Sequence, residues 1–155
     1  MTRPFLKFGE TAEQLVENGY EPLPLAIAAK RPIIKDWTNQ DLANPKVIEH
    51  LIEAYSSAGV GLRCGFLIVL DIDVKDPAAS HAIRKLAIEY LGDSSLIRYG
   101  NRPKQAMLFR RKGSAFPKKA TPALSLMNTK AQVEVLADGS QMVAFNIHPD
   151  TGRPY

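Results

Sequence analysis

The sequence predicts an α+β fold: a mixed or antiparallel sheet with flanking helices, preceded by an αβ unit at the N-terminus. Three observations predict it. Helical spacing and strand alternation occupy separate stretches instead of alternating strictly along the chain. Short β-rich runs crowd the second half, separated by Gly, Pro, Asn and Asp. One long apolar run, FLIVLDIDV at residues 66–74, has the length and composition of a buried strand.

Each element has its own warrant. Residues 11–18 read as a helix with Thr11 as N-cap and Gly19 as its stop. YEPLPLAIA follows as a short strand whose prolines suit a sheet edge. KRPIIKDWTNQDLANP is loop chemistry leading into a helix over residues 45–56, with Pro45 in the first turn. GVGLRCG carries a short strand before the turn into FLIVLDIDV. Over residues 77–91, Ile83, Leu86, Ala87 and Tyr90 keep helical spacing, and Gly92 ends the run. SLIRYG, QAMLFRR, AQVEVLA and MVAFNI then read as strands, with RKGSAFPKKATPALS as an exposed loop among them.

At 155 residues, 45% hydrophobic and 23% charged, the chain can build one real core, so residues 1–155 are expected to be a single domain. HPDTGRPY closes the sequence without a terminal element, which suggests a domain excised from a longer protein. A single cysteine, Cys64, excludes an internal disulfide framework and fits a reducing compartment. MTRPFLKFGETAEQ lacks the apolar stretch of a signal peptide, and no later run is long enough to span a membrane. A soluble, cytoplasmic protein is therefore expected.

Charge is unevenly placed. Residues 94–133 hold no Asp or Glu but nine basic residues, against a whole-chain net charge of +4, so the remainder is near −5. Such a block is either a solvated basic face or a surface for a polyanion.

The acids inside the apolar run carry the chemistry. On a strand, Leu67, Val69, Asp71 and Asp73 share one face while Phe66, Ile68, Leu70, Ile72 and Val74 share the other. The two carboxylates are then separated by roughly 6–7 Å at Cβ, close enough to converge on one metal or straddle a pair. Oxygen ligands of this kind suit Mg²⁺ or Mn²⁺. Glu134, between Val133 and Val135, would join them if its strand pairs beside theirs. Three such acids repel one another unless cations neutralise them. The alternative is that each acid is a strand-end residue exposed to solvent, or is paired with a local Lys or Arg.

GVGLRCGFLIVLDIDV followed by VEVLADGSQMVAFNIHPDTGRPY resembles the bifunctional primase–polymerase domain of the archaeo-eukaryotic primase superfamily, from about Leu23 through KRPIIKDWT to Tyr155. The resemblance implies an RRM-like sheet and template-directed nucleotidyl transfer in phage, plasmid or mobile-element replication. It implies that Asp71, Asp73 and Glu134 are catalytic and hold two Mg²⁺ or Mn²⁺ ions. Partners would be a single-stranded DNA template, nucleoside triphosphates and a helicase domain or subunit after Tyr155. Many members carry a histidine in the middle motif, whereas RYGNRPKQAMLFRR has none. Arg98, Lys104 and Arg110 are expected to take its place on the phosphates, with His148 of NIHPDTGRPY positioning nucleotide or metal-bound water. A structural hydrogen bond is the other reading of His148. The missing histidine also leaves open a catalytically inactive module that binds single-stranded nucleic acid on the same fold. Metal-dependent phosphoryl or glycosyl transfer through the two aspartates is a third possibility.

Overall fold

The structure, a computed structural model, describes residues 5–155. The first four residues of the stretch read as lacking a signal peptide lie outside them. The order is α1 (Phe8–Glu17), β1 (Pro22–Leu25), α2 (Pro45–Tyr55), β2 (Gly59–Arg63), β3 (Leu67–Asp73), α3 (Pro77–Leu91), β4 (Ile97–Tyr99), β5 (Gln105–Arg110), β6 (Lys119–Ala120), β7 (Leu124–Leu126), β8 (Thr129–Leu136) and β9 (Gln141–Phe145). All strand pairs are antiparallel, so the molecule is α+β as expected. No helix among the described residues is long and apolar enough to cross a membrane.

The chain divides into two compact units, one of residues 1–64 with 141–155 and one of residues 65–140. In the first, β1, β2 and β9 form a three-stranded sheet with the proline-rich β1 at its edge. Phe8 and Ala12 of α1, Ile48 of α2, and Leu23, Leu25 and Val60 of the strands fill its core. Helix α1 starts earlier than the sequence suggested. Thr11 is not its cap but lies within the helix, its hydroxyl donating to the Lys7 carbonyl at 3.0 Å, while the Lys7 N–H donates to Glu10 at 2.7 Å. A bulged register between β2 and β9 brings Gly59 against Asn146, where a Cβ would lie 2.5 Å from the amide carbon. Asn146 is wholly buried because its side chain ties the carbonyls of Ala26 and Ala29 and the N–H of Ala28.

The second unit is a six-stranded sheet ordered β4-β5-β3-β8-β6, with β7 paired to β8. Helix α3 covers one face. Its N-terminus is capped by Asp76, which accepts from the Ala79 N–H at 2.7 Å, with Pro77 in the first turn. Ala79, Ile83, Ala87 and Ile88 pack against Leu70, Ile72, Val74 and Met107, with Val133 and Val135 of β8 beside them. The apolar stripe thus lies one step around the helix from the expected one, and Leu86 and Tyr90 point outward. The basic stretch after β5 is more ordered than loop chemistry suggested, since it contributes the short strands β6 and β7.

Candidate active site

Strand alternation on β3 sends Leu70 and Ile72 toward α3, which leaves Asp71 and Asp73 on the opposite face. Register decides what joins them. Asp71 pairs with Glu134 on β8 and with Ala106 on β5, while Asp73 pairs with Gln132. Directly opposed residues share a face, with Cβ atoms about 4.5–5.5 Å apart. Glu134 therefore faces the same side as both aspartates, and Asp71 is its immediate neighbour. Asp73 is one step further along, toward the strand's C-terminal end.

The register continues across the sheet. Arg98 of β4 pairs with Ala106, and Glu134 pairs with Ala120 of β6. One transverse row therefore reads Arg98, Ala106, Asp71, Glu134, Ala120. It presents a cation at one side, two carboxylates in the middle, and small residues on either side of the acids. Ala106 is wholly buried, whereas Ala120 at the far end of the row is exposed. Toward the start of β3 the same face turns apolar, with Leu67, Val69 and Leu136 buried.

Two lysines already sit on these acids. Lys118 Nζ lies 2.6 Å from Glu134 Oε1, and Lys104 forms an ion pair with Asp73. Both ammonium groups lie where the carboxylate cluster attracts positive charge. Among the described residues no three His, Cys, Asp or Glu side chains are drawn together as a ready-made metal cage. The donor set nonetheless suits a hard divalent ion: three carboxylates on one face, with lysines paired to Asp73 and Glu134. Asp73 and Glu134 are only 30% and 22% exposed, so their charge is partly desolvated.

The predicted phosphate ligands are distributed unevenly. Arg98 lies in the acid row, and Lys104 lies at Asp73. Arg110 pairs with Leu67, which places it about 13 Å along β3 from Asp71 at the usual rise of a strand. It shares the face but not the acidic end. His148 belongs to the first unit, where it is buried and organises the terminal turn. Its Nδ1 accepts from the Asp150 N–H at 3.2 Å, its backbone N–H donates to the Arg153 carbonyl at 2.8 Å, and its ring centroid lies 4.9 Å from that of Tyr155. An accepting Nδ1 puts the proton of the neutral ring on Nε2.

Sequence reasoning did not single out Lys118 as a partner of Glu134. The only signal was its place in the acid-free block, two residues before the Ala120 that pairs with Glu134. Cys64 is excluded from nucleophilic work, because burial pushes its thiol up to about 12.

No curated protein matches the chain. The family model for the bifunctional DNA primase/polymerase N-terminal domain matches residues 12–155, which includes both acidic strands, the basic block and the terminal turn. With nearly its whole length matched, this chain belongs to the bifunctional DNA primase/polymerase N-terminal domain family.

Proposed function

We propose that this chain is a divalent-metal-dependent primase–polymerase domain whose catalytic groups are Asp71, Asp73 and Glu134, acting in the replication of a phage, plasmid or mobile element. The observation that carries the reading is the in-register opposition of Asp71 and Glu134 on the face of the sheet away from α3, with Asp73 following. Those three side chains would hold Mg²⁺ or Mn²⁺. When bound, such ions lower the pKa of an attacking 3′ hydroxyl and offset charge on the departing pyrophosphate.

The chain's own residues do the rest. Lys104 and Lys118 keep two of the carboxylates neutralised before a metal arrives. Arg98, at the end of the acid row, offers a planar fork to phosphate oxygens. Lys104, once released from Asp73, is placed to do the same. Arg110 serves the path of a nucleic-acid strand better than the reacting triphosphate, given its distance from Asp71. Single-stranded DNA as template, nucleoside triphosphates as substrates and a helicase as working partner complete the proposal.

The catalytically silent module has one observation in its favour: the lysine pairs already satisfy Asp73 and Glu134. One experiment separates the two. Primer synthesis on a single-stranded template with Mn²⁺ should occur for the unaltered chain and stop with a chelator. Asp71→Asn should lower it by about 10³-fold or more while the melting temperature holds. Template binding with no incorporation under any divalent ion would establish the silent module instead.

A further inference from the structure

A second cationic site lies on the other face of the same sheet, at its β4 edge. Tyr99 of β4 pairs with Gln105 of β5, so both point toward α3, away from the acids. Two guanidinium groups converge on Tyr99. Arg102 stacks on the ring with its Cζ 3.8 Å from the centroid, and Arg84 of α3 directs Nη1 to the phenolic oxygen at 3.3 Å.

Neither arginine has a carboxylate partner among the described residues. Arg84 is half-buried, its Nε is shielded from solvent, and that atom makes no hydrogen bond. A partly desolvated guanidinium with most of its N–H groups unspent is costly to keep, and a second positive charge on the same tyrosine adds to that cost. The arrangement is nonetheless built in. Gln105, 5% exposed, donates to the Ser80 hydroxyl at 3.2 Å, and Ser80 donates to the Pro103 carbonyl at 3.0 Å. This buried relay fixes the turn that carries Arg102 over Tyr99. An oxyanion between the two forks is the ligand that would offset the cost, because a guanidinium pairs bidentately with phosphate oxygens.

We infer that Arg84, Tyr99 and Arg102 form a phosphate-binding site, separate from the acid row, that holds the backbone of a single-stranded DNA template where it passes the β4 edge. The inference rests on the primase–polymerase reading. It adds a contact on the opposite side of β4 from Arg98. A strand gripped there is held by its phosphates without sequence preference. The nucleoside triphosphate belongs to the acid face and should not depend on this pair.

The test measures binding of a fluorescein-labelled oligothymidylate by anisotropy between 50 and 200 mM NaCl, and of dATP with Mn²⁺ by calorimetry. The variants are Arg102→Gln, Arg84→Gln and the double. Arg102 is exposed, so its variant reports even if Arg84→Gln lowers the melting temperature. Each lost contact should weaken the oligonucleotide about 3- to 10-fold and flatten the logarithmic salt dependence by about 0.7. The affinity for dATP should not move. Unchanged oligonucleotide affinity and salt slope in the double variant would overturn the inference and leave the primase–polymerase reading standing. An equal fall in both ligands would overturn it too, since the pair would then serve the nucleotide or the fold. A wild-type chain that binds no oligonucleotide would sink both readings.

Discussion

The two faces of the six-stranded sheet are built from alternate residues of the same strands, yet they meet different surroundings. On one, Leu70, Ile72, Val133, Val135 and Met107 close against α3. On the other, away from α3, stand Asp71, Asp73, Glu134 and Gln132, beside two lysines. The first face shows what the fold needs to exist, because each buried aliphatic side chain contributes roughly 1.5–3 kcal/mol. The second shows what the fold can carry once it exists. Three carboxylates on adjacent strands contribute nothing to a core. They are tolerated because neighbouring cations and partial exposure reduce their repulsion.

That contrast can be broken from either side. The largest expected effect is chemical: Glu134→Gln should lower nucleotide incorporation by about 10³-fold or more, measured by primer extension, with the denaturation midpoint nearly unchanged. A variant that loses stability instead would show that the acid row is structural. Next comes the covered face. Ile72, wholly buried against α3, should cost about 2–5 kcal/mol as Ile72→Ala in urea unfolding. Its folded fraction should keep normal incorporation, although the residue lies between Asp71 and Asp73 in sequence.

The smallest effect sharpens the comparison. Lys118→Gln removes the ammonium from Glu134, and because Lys118 is 45% exposed its ion pair contributes at most about 1 kcal/mol to stability. Binding of Mn²⁺, read by electron paramagnetic resonance without any nucleotide, should tighten several-fold because a competing cation is gone. Weaker Mn²⁺ binding would mean that Lys118 orders the site for the metal and does not stand in for it.

Much of this was legible in the residues. Period-two alternation through FLIVLDIDV puts both aspartates on one face, and the helical run over residues 77–91 with Gly92 as its stop matches α3. Thr11 misled because a hydroxyl near a helix start can bond back to a carbonyl inside the helix as readily as cap it. Leu86 and Tyr90 misled because periodicity finds a stripe four residues wide without saying which edge of it meets the sheet. The strands β6 and β7 were hidden because two or three residues carry too little alternation to register.

The sequence by itself determined which side chains could share a face, since that follows from the strand's repeat of two and needs no partner. It could not determine which strand lies beside which, nor the register between them. A slip of one residue in β8 would have turned Glu134 toward α3 and brought Val133 or Val135 beside Asp71. The meeting of Glu134 with Asp71, of Lys118 with Glu134, and of Arg84 with Tyr99 all depend on contacts between residues distant in the chain. Those positions are fixed by the packing of β8 and α3 onto β3, where burial of one apolar face selects a single register for the polar one.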